Sequence, residues 1–351
     1  MQNTVDMRAY GLTPAIEFRA AQYEGYTLAR VVSQEKGLYR IVSEAREKKA
    51  GVSGRFMYNA AVVSEYPAVG DFVMADINEG GNAVIHHVLE RSSCFIRKAA
   101  GSSRKEQVVA ANIDTLFLCM ALNNDFNVRR MERYLSIAWD SGANPVIVLT
   151  KSDLCDDIDQ RVSEIEGVAF GVDILVTTAM EDDGYQKIMP YIREGRTVAF
   201  IGSSGVGKST LINRLIGEER LLTNGLRDDD KGRHTTTHRE LILIPDGGMV
   251  IDTPGMRELG MWDSSEGVER TFSDVEALAG KCRFRDCTHG REPGCAVRAA
   301  LESGELSHDR WDAYQHLMAE NAYAADSESY MASKKQKFKD IAKYNKNNKK
   351  R

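Results

Sequence analysis

Two nucleotide-binding motifs occur in this chain in the reverse of their usual order. Residues 202–209 (GSSGVGKS) fit GxxxxGK[ST], the phosphate-binding loop, and residues 150–153 (TKSD) fit [NT]KxD, the guanine-specific motif. In an ordinary GTPase the guanine motif follows the phosphate loop, whereas here it precedes the loop. This order predicts a nucleotide-binding α/β domain whose strands are circularly permuted.

The phosphate loop lies in the sequence context that the motif requires. Residues 198–201 form a short apolar run typical of a buried strand, and residues 211–216 have helical spacing. Glycines allow backbone N–H groups to converge on phosphate oxygens at the start of the helix. We expect Lys208 to reach the β- and γ-phosphates and Ser209 to bind magnesium. The residues of the loop expected to contact GTP are Gly202, Ser203, Ser204, Gly205, Val206, Gly207, Lys208, Ser209 and Thr210.

A second strand, predicted at 249–251, ends in the sequence DTPG. Asp252 is expected to hold magnesium through water, and the N–H of Gly255 is expected to meet the γ-phosphate. Between the two phosphate motifs lies the sequence GRHTTT at 232–237. A threonine here can close over the nucleotide and add a magnesium ligand; Thr236 is favoured and Thr237 stays open as the alternative.

The guanine motif follows an apolar strand predicted at 145–149. A carboxylate at Asp153 can accept hydrogen bonds from both N1–H and N2–H of guanine, a pair that adenine does not offer. GTP is therefore favoured over ATP, and an ATP-dependent kinase is disfavoured. Thr150 stands where Asn is commoner, and the stem of Lys151 can cover the base. A strand at 174–176 leads to two predicted backbone contacts with guanine O6, at Thr178 and Ala179.

A second chemical cluster lies beyond these motifs. Cys282, Cys287, His289 and Cys295 form the pattern C-x4-C-x-H-x5-C. Three thiolates and one imidazole make a closed tetrahedral set for zinc, so we expect one structural zinc per chain. Disulfides are the alternative, but an intracellular nucleotide enzyme is a poor setting for them.

The distribution of charge is uneven along the chain. The net charge is −5 over 351 residues, yet residues 334–351 carry +8 and leave −13 on the rest. A basic tail on an acidic body is typical of an RNA-binding appendage, with a solubilising disordered end as the alternative. No stretch has the length of a membrane span and the N-terminus has no signal-peptide pattern, so we expect a cytoplasmic protein without membrane contact.

The organisation that follows is multidomain. Short, partly alternating runs at 26–32, 38–42, 71–77 and 83–89 predict an N-terminal β-barrel, with an OB-fold as the natural form and oligonucleotide binding or simple packing as its roles. We predict this barrel at 1–100 and the circularly permuted α/β P-loop GTPase domain at 106–276, with its first strand at 115–122 and a helix at 129–140. A C-terminal zinc-binding helical domain follows at 277–330, with helices at 296–302 and 309–324, and a basic tail at 331–351.

Taken together, TKSD, GSSGVGKST, GRHTTTHRE, DTPG and CRFRDCTHGREPGC resemble the RsgA family of bacterial GTPases over nearly the whole chain. The resemblance implies a late assembly factor that binds the small ribosomal subunit and its rRNA. It also implies GTP hydrolysis to GDP stimulated by that subunit, and help in maturing the decoding region. In the family the barrel and the zinc domain both touch ribosomal RNA or protein. We expect a monomer. The alternative is a nucleotide-controlled RNA-binding module that acts away from ribosomes.

The catalytic group is not evident from the phosphate motifs themselves. Many small GTPases place Gln directly after DxxG to orient water, but Met256 occupies that position and cannot do so. His234 lies beside the threonines and carries an imidazole able to orient water near neutral pH. The family resemblance implies the same histidine, and a surface histidine without a role is the alternative.

Overall fold

The computed structural model describes residues 4–35, 37–78, 80–98, 106–178, 184–217, 239–245, 247–252 and 265–325. These residues belong to two compact units, which divide between Gly260 and Met261, and each unit is described by itself. Within the described ranges, no helix combines the length and the apolar character needed to cross a membrane.

The N-terminal part of the first unit is a closed five-stranded barrel. Its strands are β1 (Thr27–Glu35), β2 (Leu38–Ser43), β3 (Glu47–Val52), β4 (Phe72–Asp76) and β5 (Ala83–Val88). They lie in the order β1-β2-β3-β5-β4, and β4 pairs with β1 to close the barrel. This five-stranded closure is that of an OB-fold and confirms the predicted barrel.

Strand β3 is a barrel strand that the sequence pattern did not predict. Its sequence, EKKAGV, contains Lys, Glu and Gly, which are depleted in strands, and only Ala50 in it is fully buried. The strand forms because it pairs with β2 on one side and with β5 on the other. Tertiary pairing therefore overrides a weak local preference.

A two-stranded ribbon and a six-stranded α/β sheet follow along the chain. The ribbon consists of β6 (Cys94–Lys98) and β7 (Glu106–Ala111), and in its backbone register Lys98 lies opposite Glu106. The sheet contains β8 (Thr115–Ala121), β9 (Asn144–Thr150), β10 (Asp173–Val176), β11 (Thr197–Ile201), β12 (Arg239–Leu243) and β13 (Met249–Asp252). The helices of this unit are α1 (Pro14–Ala20), α2 (Gly54–Asn59), α3 (Val128–Ser141), α4 (Ile158–Glu166) and α5 (Lys208–Ile216). The predicted strands and the predicted helix at 129–140 are confirmed.

The order of strands in this sheet determines where a ligand can bind. The order is β10-β9-β8-β11-β13-β12, and all neighbours are parallel except β12. The chain runs outward from β8 to β10, then returns to place β11 on the other side of β8. Ligands of open α/β sheets bind beside the carboxyl ends of strands at such a switch point. The carboxyl ends of β8, β9, β11 and β13 all lie at that edge.

A buried arginine connects the barrel to the sheet within the first unit. Arg30 of β1 is 1% exposed and donates to Tyr10 O at 2.6 Å and to Thr197 Oγ1 at 2.8 Å. Its guanidinium lies 4.8 Å from the ring centre of Phe72. Burial lowers the pKa of Arg30 to about 10, so the group remains charged at neutral pH. The strand that leads to the phosphate loop is thus tied to the barrel.

The second unit consists of helices around a small core. They are α6 (Ser265–Thr271), α7 (Ser273–Ala279), α8 (Ala296–Ser303) and α9 (His308–Ala325), and the last two confirm the predicted helices. Phe272 is fully buried, and the guanidinium of Arg310 lies 4.1 Å from its ring centre. Arg310 also pairs with Asp274 at 2.8 Å. These contacts hold α9 against α6 and α7.

Candidate nucleotide site and metal centre

The phosphate loop turns sharply from β11 into α5. Gly202 has φ 153°, and a Cβ atom there would lie 2.4 Å from the carbonyl oxygen of Cys119 in β8. Gly207 has φ 99° and is the N-cap of α5, a conformation that favours glycine. The predicted strand, loop and helix are therefore confirmed around residues 202–210. Burial raises the pKa of Cys119 to about 12, which marks it as a core thiol rather than a nucleophile.

Lys208 is held by the loop that precedes it. Its side chain is almost buried, and its Nζ atom donates to Gly202 O at 2.7 Å and to Ser203 O at 2.6 Å. An ammonium group has three N–H donors, and these contacts fix it at the centre of the loop. A phosphate bound by the loop would therefore meet a lysine that is already in place.

The guanine motif contacts the phosphate loop directly. The hydroxyl of Thr150, which is buried at the end of β9, donates to Val206 O at 2.6 Å. Val206 O and the N–H of Gly207 belong to the same peptide group. Because the carbonyl and the N–H of a trans peptide point in opposite directions, the N–H of Gly207 points away from Thr150. The two motifs are separated by about fifty residues in sequence, and the fold brings them together as the permuted order requires.

The acid of the guanine motif has a partner that sequence reasoning assigned differently. Asp153 is exposed, and its Oδ1 atom accepts a hydrogen bond of 2.6 Å from the hydroxyl of Thr178. The backbone contact of Thr178 with the base stays a prediction, and its side chain in addition orients the Asp153 carboxylate. Lys151, between the strand and Asp153, has a left-handed backbone with φ 57°. This turn separates Thr150, directed at the phosphate loop, from Asp153.

Two charged residues beside the phosphate loop were missed by the sequence analysis. Asp125, which follows β8, accepts from the hydroxyl of Ser203 at 2.5 Å and from Arg130 Nη1 at 2.8 Å. Burial opposes ionisation, but hydrogen bonds from Ser203 and Arg130 and the charges of Arg130 and Lys151 lower the pKa of Asp125. One sequence signal could have identified Asp125, namely its position shortly after a buried parallel strand.

The predicted magnesium ligands lie at neighbouring places on the sheet edge. Ser209 is the second residue of α5, and Asp252 is the last residue of β13, which runs parallel to β11. Hydroxyl and carboxylate oxygens are ligands that magnesium prefers. Five other predicted site residues lie outside the described part of the chain: Ala179, His234, Thr236, Thr237 and Gly255.

The four predicted metal ligands come together in the second unit. The ligand atoms of Cys282, Cys287, His289 and Cys295 all lie within 4.8 Å of one another. The sulfur atoms of Cys282 and Cys295 are 3.9 Å apart, and each lies close to His289 Nδ1, at 3.6 and 3.5 Å. Tetrahedral zinc with Zn–S bonds of 2.3 Å would set its sulfur ligands about 3.8 Å apart. The three cysteines are free thiols, which excludes the disulfide alternative.

Local structure explains how this cluster is positioned. Cys295 is the N-cap of α8, and its sulfur accepts from the N–H of Arg298 at 3.4 Å. His289 has a left-handed backbone with φ 60°, and its ring lies 5.4 Å from that of Trp311 in α9. This ring contact packs α9 against the metal-binding segment.

Comparisons with known proteins agree with these features. The sequence profile of the family described as RsgA GTPase matches residues 88–262. A relative from Lactiplantibacillus plantarum, described as small ribosomal subunit biogenesis GTPase RsgA 2, is 47% identical over 321 residues, which cover 91% of this chain and 90% of the relative. A relative from Opitutus terrae, described as small ribosomal subunit biogenesis GTPase RsgA, is 46% identical over 319 residues, 88% of this chain and 87% of its own.

Solved structures give the same result. The crystal structure of YjeQ from Thermotoga maritima has a TM-score of 0.62 and 28% identity, and the match covers 85% of this chain and 99% of that chain. YloQ, described as a circularly permuted GTPase, has a TM-score of 0.59 and 26% identity over 85% of this chain and 96% of its own. Similarity of this extent, together with the permuted motifs at one sheet edge, shows that the chain belongs to the RsgA GTPase family.

Proposed function

We propose that this protein hydrolyses GTP and acts as a late assembly factor of the small ribosomal subunit. The observation that carries the nucleotide part is the contact between Thr150 and Val206, which joins a guanine motif to a phosphate loop. The ribosomal part is supported by relatives described as small ribosomal subunit biogenesis GTPases. Binding to the subunit stimulates hydrolysis, and the protein helps the decoding region to mature.

Within this proposal each part of the site has a separate task. Asp153 reads guanine, and Lys208 with the loop amides binds the phosphates. Magnesium, held by Ser209, Asp252 and Thr236 or Thr237, supplies positive charge beside the β- and γ-phosphates when it is bound. The Gly255 N–H meets the γ-phosphate, and His234 orients the water.

We also propose that the cysteine and histidine cluster holds one structural zinc per chain. The donor set and the sulfur separation fit zinc, and four protein ligands leave no open position for catalysis. Its task is to fix the segment between α7 and α8, where the residues after Cys282 have no other regular structure.

Two parts of the chain are proposed to contact rRNA, the basic tail and the OB-fold barrel. The tail at 334–351 has a charge of +8, and we assign it to rRNA through contacts with phosphate groups. The OB-fold barrel is the second proposed rRNA contact. The protein then acts as a cytoplasmic monomer. An RNA-binding switch that acts away from ribosomes is the competing function, since the same charges would serve it.

Small ribosomal subunits are expected to raise GTP hydrolysis well above the intrinsic rate. Removal of residues 334–351 is expected to weaken subunit binding and to flatten its dependence on salt. Each phosphate neutralised by Lys or Arg steepens the slope of log affinity against log salt by roughly one. Turnover and co-sedimentation at several salt concentrations measure both effects. No stimulation at low salt would contradict the ribosomal function, and an unchanged slope would leave the tail as a solubilising end.

Asp153→Asn is expected to change the base preference. The amide replaces two acceptor oxygens with one acceptor and one donor, so guanine loses a hydrogen bond and xanthine gains one. Binding of GTP and xanthosine triphosphate to both proteins measures the exchange. Asp156→Asn, which changes a nearby exposed carboxylate, serves as the control. Equal GTP affinity in wild type and Asp153→Asn would remove Asp153 from the site.

A further inference from the structure

We infer that Asp125 and Arg130 are positioning residues that hold the phosphate loop in its arrangement for nucleotide binding. The inference rests on the nucleotide site proposed above. Neither residue belongs to the motifs that identified that site. Asp125 lies on the segment that joins β8 to α3, and Arg130 lies in the first turn of α3. They act through Ser203 rather than by touching the nucleotide themselves.

Their place in the sheet is the first argument. Asp125 follows β8, and Ser203 follows β11, which are the two strands on either side of the switch point. The backbones approach closely there, because Gly202 lies against the carbonyl of Cys119. A side chain directly after β8 is therefore within reach of the first variable residue of the phosphate loop.

The contacts themselves are the second argument. Arg130 Nη1 reaches both Asp125 Oδ2, at 2.8 Å, and Ser203 Oγ, at 3.1 Å, while Ser203 donates to the same carboxylate oxygen at 2.5 Å. The three side chains form a closed triangle of hydrogen bonds. Lys151 of the guanine motif acts on the same carboxylate through its charge. Asp125 therefore contacts both α3 and the phosphate loop.

The triangle has a direct consequence for the lysine of the phosphate loop. Ser203 O is one of the two carbonyls that hold Lys208 Nζ, so fixing Ser203 also fixes the ammonium. Thr150 fixes the far side of the loop at Val206 O. The loop is thus held at both ends, through Ser203 by Asp125 and Arg130 and through Val206 by Thr150, the last residue of β9. Such preorganisation lowers the free-energy cost of ordering the loop on binding.

A role confined to helix stability does not explain the arrangement. Arg130 is the third residue of α3, where a positive charge opposes the helix dipole, and Asn127 already caps the helix by accepting from the N–H of Arg130 at 2.9 Å. Arg130 and Asp125 are 30% and 39% exposed, and ion pairs this exposed contribute little to stability. Arg130 therefore lies where its charge destabilises the start of α3, while its side chain contacts the phosphate loop at Ser203.

The test compares nucleotide affinity with stability in six single variants and one double variant. Arg130→Gln, Asp125→Asn and Ser203→Ala each break the triangle of hydrogen bonds. Arg130→Lys keeps the positive charge but replaces the guanidinium with an ammonium group. Arg196→Gln is the matched control, because it breaks an Arg–Asp pair of 2.6 Å to Asp114 at the opposite end of β8 and β11. Equilibrium binding of GDP and of a non-hydrolysable GTP analogue is measured beside the thermal midpoint and steady-state kinetics. Lys208→Ala reports on the nucleotide site itself.

The triangle-breaking variants are expected to bind GDP and the GTP analogue equally less tightly, by about three- to tenfold, as expected for one partly screened contact to a charged group. The KM should rise while kcat at saturating GTP stays within about twofold. Arg130→Lys should recover most of the affinity. The double variant Asp125→Asn with Ser203→Ala should be no weaker than the weaker single variant, because both break one network.

The outcomes separate this inference from the proposed function. Wild-type affinities in Arg130→Gln and Asp125→Asn, with binding lost in Lys208→Ala, would overturn the positioning role and leave the nucleotide site standing. A lower thermal midpoint without a change in affinity would overturn it in the same way. Full nucleotide binding by Lys208→Ala would mean that the proposed site itself is wrong.

Discussion

Replacing Cys287 by serine is expected to release zinc and to unfold the metal-binding segment of the second unit. Four ligand atoms lie within 4.8 Å of one another, and the described chain between Cys282 and Cys295 forms only turns and bends. Structural zinc sites in small domains are worth about 10–16 kcal/mol of apparent binding free energy, which is then folding free energy. Loss of one thiolate removes the closed tetrahedral set, and about one zinc per chain should fall to a small fraction of that value.

Elemental analysis of the purified variant measures the loss, and limited proteolysis after residue 280 reports the local unfolding. Cys94→Ser is the matched control, because Cys94 lies on β6 in the other unit and belongs to no cluster of potential metal ligands in the described ranges. GTP binding should persist in both variants, since the nucleotide motifs are in the first unit. Full zinc retention in Cys287→Ser would contradict the assignment of this ligand.

The features that could be predicted are those in which residue type alone determines the geometry. Gly202 is required because the backbone of Cys119 approaches it closely, and Gly207 is required because its backbone is left-handed. The loop can therefore be predicted from the sequence. The cysteine and histidine cluster is readable for a similar reason, because ligand chemistry and short spacing leave few arrangements. Buried parallel strands are also readable, since all seven residues of β8 are apolar or small and buried.

The features that could not be predicted depend on contacts distant in sequence. Asp125 and Ser203 are 78 residues apart, and nothing in the local sequence connects them. Their proximity follows from the strand order, which places β11 beside β8. Arg30 is a similar case, because an arginine is mostly exposed in proteins, whereas five acceptors distant in sequence surround this one. Strand β3 was missed because its pairing, and not its composition, makes it a strand.

The permuted order also has a physical meaning in this fold. The guanine motif precedes the phosphate loop in sequence, yet the Thr150 hydroxyl still donates a hydrogen bond to Val206 O in that loop. The contacts of a sheet depend on which strands are neighbours and in which direction they run, while the connections can be cut and rejoined elsewhere. Here β12 pairs with barrel strand β1 as well as with β13, so the permuted sheet continues into the barrel.

His234→Ala is expected to retain GTP affinity and to lose turnover by about 10²–10⁴-fold, the contribution typical of a positioned acid–base or orienting group. In the proposed site the binding energy would come from the phosphate loop, magnesium and Asp153, and none of these tasks is assigned to His234. Orientation of water acts mainly in the transition state, so its loss lowers kcat and leaves the dissociation constant nearly unchanged. Met256, directly after the DTPG sequence, cannot take over the task because its side chain is apolar.

Single-turnover hydrolysis with saturating small subunits is the direct assay, alongside equilibrium binding of a non-hydrolysable analogue. His316→Ala is the control, because His316 is an exposed histidine in α9 whose ring pairs with Glu320 at 3.2 Å. Wild-type turnover in His234→Ala would falsify the catalytic role and assign water orientation to a group supplied by the subunit. Loss of subunit binding with intact intrinsic hydrolysis would instead assign His234 to docking, because a residue that orients water must affect hydrolysis whether or not the subunit is bound.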